Sequence, residues 1–172
     1  MKAGGGSPKG GERERGVCKR LSLWVSNGAS TDLFWRSAMS GGRATVQLKS
    51  GRVNVRQSGD ICAIDPLGYP FVEANFTEVK HYKDLNIARG FVCQTGVLIS
   101  FWRHARREAA KYGKRPLLVA QQNRYPTLAI TDWGAGIFEG DPVIELYRWE
   151  AWVYLFDEVT RVRTRLMRRR AS

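Results

Sequence analysis

The sequence predicts a mixed α/β (α+β) domain with a single core. Three observations carry that reading. Apolar residues recur at helical spacing near the N-terminus and again in mid-chain. A central stretch, SGDICAIDPLGYPFVEANFTEVKHYK, has two apolar or alternating runs about a turn. PLLVAQQ is a continuous apolar run with the length of a buried strand. With 172 residues, 43% of them hydrophobic, the chain can bury a substantial core.

Residues 1–11 are Gly-rich and read as a flexible tail. From Glu12, ERERGVCKRLSLWVS places Val17, Leu21 and Trp24 on one helical face, and NGAST breaks the helix. DLFWRSAMSGGRATVQL reads as a short helix or strand followed by the loop SGGR. Ser58–Lys80 reads as a β-hairpin whose turn centres near Tyr69. In CQTGVLISFWRHARREAAKYGKRP, Val97, Phe101, Ala105, Ala109 and Tyr112 line one face of a helix that Gly113 and Pro116 stop. PLLVAQQ follows as a buried strand. The remainder reads as strands, with WEAWVYLFDEVTRV open to a helical reading. The domain is expected over 12–160. An Arg-rich tail, 161–172, holds six Arg in twelve residues.

The net charge of +12 points to a polyanionic partner, most simply nucleic acid. No long basic amphipathic helix supports a membrane partner. Cys18, Cys62 and Cys93 are odd in number and far apart. That argues against a zinc ribbon or disulfide framework and sets the expectation of reduced thiols in a cytoplasmic protein. The N-terminal MKAGGGSPKGGERER has no apolar core of the kind a signal peptide needs.

The predicted hairpin carries charge where it should enter a core. Side chains alternate along a strand, so Glu78 and Lys80 share a face, and hairpin register sets Asp60 opposite Glu78. Two facing carboxylates repel unless a cation lies between them. Lys80 is one such cation, and a hard divalent ion on Asp60 and Glu78 is a better one. Metal-assisted phosphodiester hydrolysis is the natural chemistry of such a site. The triplet alone carries little. Sixteen acids and eight Lys give about 0.7 acid-x-Lys triplets by chance, and one occurs. Its weight comes from its place at a strand end with SGD at hairpin spacing before it. A surface ion pair is the competing explanation.

GDI followed by TEVKHYK resembles the core of the PD-(D/E)XK nuclease superfamily, which places an acid at one strand and (D/E)-x-K on the next. Gly59-Asp60 stands where that family writes Pro-Asp. FWRSAMSGGRA also resembles the R-x-x-G-S-G segment of archaeal Holliday junction resolvases. The resemblance, over about Glu12–Gln122, implies a restriction-endonuclease-like αβββαβ core with a central mixed sheet flanked by helices. It implies Mg²⁺, or Mn²⁺ in its stead, held by Asp60, Glu78 and the carbonyl of Val79. Lys80 would orient or deprotonate water. Ser40 and Glu14, with Glu12 as the alternative, would assist, and Arg43 would meet the phosphate. The implied protein is a metal-dependent endodeoxyribonuclease that works on DNA as a homodimer, resolvase-like and suited in size to a phage or mobile element. Site-specific cleavage of restriction or homing type is the alternative enzyme, and a non-catalytic basic nucleic-acid-binding protein is the alternative from another class.

Arg103, Arg106, Arg107 and Lys111, with Lys114, are candidate DNA-backbone contacts or a solvated helix face. Asp65 before Pro66 reads as turn chemistry, and Glu73 as solvent-facing by strand parity. His81 and His104 form no metal pair. Gln121, Gln122 and Asn123 reach the site edge or cap a strand. Trp133, Trp149 and Trp152 are assigned to the core.

Overall fold

In the computed structural model, which describes residues 8–37 and 59–162, the first helix, α1 (Pro8–Val25), turns Val17, Cys18 and Leu21 inward. The helix begins at Pro8, inside the stretch expected to be a tail. Asn27 and Gly28 end it in left-handed backbone, and the Gly28 N–H donates to the Leu23 carbonyl at 2.7 Å. Ser22 has a structural task. Its buried hydroxyl donates to the Cys18 carbonyl and accepts from the N–H groups of Leu33 and Phe34 at 3.0 and 3.1 Å. That fastens β1 (Phe34–Arg36) to α1.

The expected hairpin does not form. β2 (Ile61–Ala63) pairs antiparallel with β1, with Trp35 opposite Cys62. Asp65 then accepts from the Leu67 N–H at 2.8 Å, opening a 3-10 turn over Pro66–Gly68, so its turn reading holds. The run expected as the second strand divides. Its first part is a short helix, α2 (Tyr69–Ala74), and its second is β3 (Asn75–Tyr82). Adjacent Phe71 and Val72 are both buried, which a strand with one buried face cannot achieve and a helical turn can. Pro70 in the first turn suits a helix start. Glu73 therefore lies on α2, where strand parity does not apply.

After β3 the chain crosses over through α3 (Ile87–Val92) and α4 (Val97–Lys111) to β4 (Arg115–Gln122), which pairs parallel to β3. β5 (Leu128–Asp132), β6 (Ile144–Leu146) and β7 (Ala151–Leu155) complete a five-stranded mixed sheet in the order β3-β4-β5-β7-β6. A short α5 (Phe156–Val159) is the last described element, so in WEAWVYLFDEV the opening Trp149-Glu150 closes a 3-10 turn and the rest is strand and then helix. The predicted helix, three strands, helix, strand order is present, but β1 and β2 form their own two-stranded sheet.

The central strand β4 explains the sheet's placement. Leu117 and Val119 pack with α1, Phe34, Phe71 and Phe156 on one face. Leu118 and Ala120 pack with α3 and α4 on the other. A strand buried on both sides reads as an unbroken apolar run. The inward face of α4 is Leu98, Ile99, Trp102, Ala105 and Ala109. The expected face shares only Ala105 and Ala109, and Val97 is exposed. Lys114 lies beyond the helix, buried, with its ammonium on the Val72 carbonyl. Trp149 and Trp152 pack against the core, whereas Trp133 is 39% exposed and meets Tyr147 edge-on. Among the described residues no helix is long and apolar enough to cross a membrane.

Candidate active site

β3 is an outer strand of the main sheet, and Asp60 is carried to its free side by one glycine. Gly59 bridges Thr77 in parallel, with φ 86°. A Cβ at Gly59 would lie 2.5 Å from the Thr77 carbonyl oxygen, so only glycine permits this approach. The Asp60 N–H then donates to that carbonyl at 2.8 Å, and the Asp60 carbonyl accepts from the Ser37 N–H at 2.8 Å. The Asp60 carboxylate accepts from the Val79 N–H at 2.8 Å through Oδ2.

Glu78 and Lys80 lie on the α4 face of β3, opposite in parity to Val79, which packs toward α1. The Lys80 ammonium forms an ion pair with Glu78 and stands 4.0 Å from Asp60 Oδ2. The Phe101 ring of α4 lies beneath it at 5.7 Å, and Tyr82 stacks on Phe101. Asp60, Glu78 and Lys80 thus converge, as the sequence predicts, although by a bridge to the side of β3 and not by a hairpin ladder.

The electrostatics follow from burial. Asp60 is 8% exposed and Glu78 7%. Burial, and then the Glu78 charge, push the Asp60 carboxyl up to about 7, with Lys80 and the Val79 N–H opposing. Burial alone would lower the Lys80 pKa, but Glu78 and Asp60 together raise it, so Lys80 is an ammonium at neutral pH. Glu14 on α1 also raises Asp60. Its Oε2 is buried without a hydrogen bond, although Arg36 Nε lies 3.2 Å away. Glu12 faces a separate cleft between α1 and the sheet.

A residue's N–H and C=O point to the same side of a strand, so the Val79 carbonyl faces the free side beside Asp60. Two carboxylates and a main-chain carbonyl make an all-oxygen donor set, which suits a hard divalent cation completed by water or phosphate. Among the described residues no group of three or more His, Cys, Asp or Glu side chains could hold a metal alone.

Ser40 and Arg43 lie outside the described residues. The α4 cations are mostly engaged. Arg106 pairs with Asp132 at 3.0 Å and donates to the Trp149 carbonyl at 3.2 Å. Arg103 lies over the Trp149 ring at 5.5 Å. Both turn toward β5 and β7, away from β3. Arg107 bonds His104 at 3.1 Å, and Lys111 pairs with Glu108 at 2.7 Å, on the outer surface. Gln122 is structural, accepting from the N–H groups of Leu85 and Ile87. Sequence reasoning missed the Gly59 contact, the Phe101 floor and Arg36. Gly59 was the legible one, a glycine placed directly before the acid.

The family model described as "Phage putative PDDEXK endonuclease" matches residues 6–150. No curated protein and no solved structure matches the chain.

Proposed function

Because the chain belongs to this phage PDDEXK endonuclease family, we propose that it is a Mg²⁺-dependent endodeoxyribonuclease whose centre is Asp60, Glu78 and Lys80. One observation carries the reading: two buried carboxylates, Asp60 from beside the outer strand β3 and Glu78 from its α4 face, share one ammonium. A protein that merely binds DNA gains nothing from acids facing the phosphate. Asp60, Glu78 and the Val79 carbonyl would hold the cation, with Mn²⁺ as its substitute. When bound, the cation supplies charge to the phosphate and lowers the pKa of water.

The protein's own groups do the rest. The Val79 N–H holds the Asp60 carboxylate in one orientation. Lys80, kept charged by its carboxylate neighbours, positions the attacking water and stabilises charge on the phosphoryl oxygens. It could act as a base only after giving up its own proton, which requires its carboxylate neighbours to be engaged by the cation. Glu14, aimed inward from α1, orients a water on the far side of Asp60. Ser40 and Arg43 would contact the scissile phosphate.

The finer reading is a structure-selective homodimer of the Holliday junction resolvase kind, encoded by a phage. Its supports are the small basic domain and, among the described residues, the lack of a separate base-reading unit, which suits recognition of shape. Cleavage of supercoiled plasmid, linear duplex and four-way junction, with Mg²⁺ or EDTA, tests both levels. Mg²⁺-dependent cutting lost in Glu78→Ala is expected, with the junction preferred. Cutting of linear duplex at fixed sequences would favour a site-specific enzyme. DNA binding without cutting would favour the non-catalytic protein.

A further inference from the structure

Across β3 from the candidate centre, α1 and the ends of β3 and β4 enclose a cleft of about 400 Å³. Its inner walls are apolar, from Val79, Val119 and Phe156. The uncharged polar residues His81, Gln121 and Thr127 also line it. His81 Nε2 is buried without a hydrogen-bond partner, and a buried unpaired ring nitrogen is costly.

Gly16 lines the same cleft from the middle of α1. Glycine inside a helix costs about 1 kcal/mol relative to alanine. A Cβ at Gly16 would meet nothing within 4 Å, so packing does not require glycine there. Helix stability has been given up for open space.

The charges at the rim decide the class of ligand. Arg13 and Glu12 bring one charge of each sign to the lining, and Arg20 is bound to Asp157 and to Thr160 Oγ1 at 3.0 Å. A nearly balanced rim is poor for a phosphate group. Apolar walls with donors and acceptors at one end suit a planar heterocycle with a polar edge. Lys80 also lines the cleft, while its ammonium stands across β3 with Glu78 and the Phe101 ring. We infer that it receives one unpaired nucleobase of the strand being cut, beside the scissile phosphate. This rests on the nuclease reading and gives it a substrate class: DNA with an extrahelical or unstacked nucleotide at the cleavage position.

The test uses full-length Glu78→Gln protein, labelled duplexes and fluorescence anisotropy in Mg²⁺. One duplex carries a single bulged nucleotide, a second carries an abasic residue at that bulge, and a third is fully paired. The bulged base should bind about tenfold tighter than the abasic bulge. Adding Gly16→Leu, which fills the cleft, should erase that preference, while Gly16→Ala keeps it and raises the melting temperature. Equal affinity for base and abasic bulges, or a preference that survives Gly16→Leu, overturns the inference. Plasmid cleavage by the wild type reports on the nuclease reading separately. Cutting without base preference removes the cleft alone, and neither binding nor cutting removes both.

Discussion

Asp60 is held by geometry that a single methyl group would undo. Gly59→Ala forces a Cβ against the Thr77 carbonyl at a left-handed φ. A cost of about 1–3 kcal/mol is expected, with loss of the cation-induced rise in melting temperature. Denaturant titration and melts with and without Mg²⁺ check both. The carboxyl itself sets a pH dependence. Its folded pKa is raised from 3.8 to about 7, so the folded chain holds a proton that the unfolded chain has released. Stability from neutral Asp60 is full below the unfolded value and is lost as pH rises through about 7. Metal-free protein should therefore melt progressively lower between about pH 4 and about pH 8, and Asp60→Asn should flatten that slope. Mg²⁺ should raise the melting temperature more at the alkaline end, where Asp60 is ionised.

At the scale of elements, α1 and β1 are coupled through Ser22. Ser22→Ala leaves the Leu33 and Phe34 N–H groups without their buried acceptor, at about 1–3 kcal/mol per orphaned donor. Because β1 carries β2, and β2 continues from Asp60, cation binding should weaken in parallel. Equilibrium unfolding beside a Mg²⁺ titration measures the pair of effects. This layer was only partly legible in the sequence. That Glu78 and Lys80 share a face was readable, because parity along β3 is a local rule; Asp60 was expected beside them by a hairpin register that does not form, and reaches them through the Gly59–Thr77 bridge instead. The partner of β2 was not, because a three-residue strand leaves its pairing to the distant Phe34–Arg36. Phe71 and Val72, side by side, were the sign that the supposed second strand begins as a helix. The face of α4 was misread because Val97 and Phe101 are apolar without being central, while Leu98 and Trp102 carry the packing.

For the whole molecule, the charge of +12 predicts salt-sensitive DNA binding. The arginines of α4 do not contribute alike. Arg106 is tied to Asp132 and the Trp149 carbonyl, so Arg106→Ala should lower stability more than affinity. Arg107 and Lys111 lie on the outer surface. Replacing either by Ala should weaken binding to all DNA sequences similarly and reduce the salt slope by about one unit for each phosphate no longer neutralised. Binding isotherms across a salt series, beside melts, separate these outcomes. Composition announced the polyanion but not which cations meet it, since that depends on acids such as Asp132 arriving from another strand.

The carboxylate of Asp60 also occupies the Val79 N–H on the free side of β3, the place where the backbone of another chain would dock. An outer strand with open amides invites strand addition and aggregation, and an inward-bent charge deters it. Removing that acid therefore does more than silence a reaction. Asp60→Ala should make the protein prone to self-association through its sheet, visible in light scattering on warming. Glu78→Gln, which leaves the Val79 amide covered, is the better inactive form for trapping a substrate.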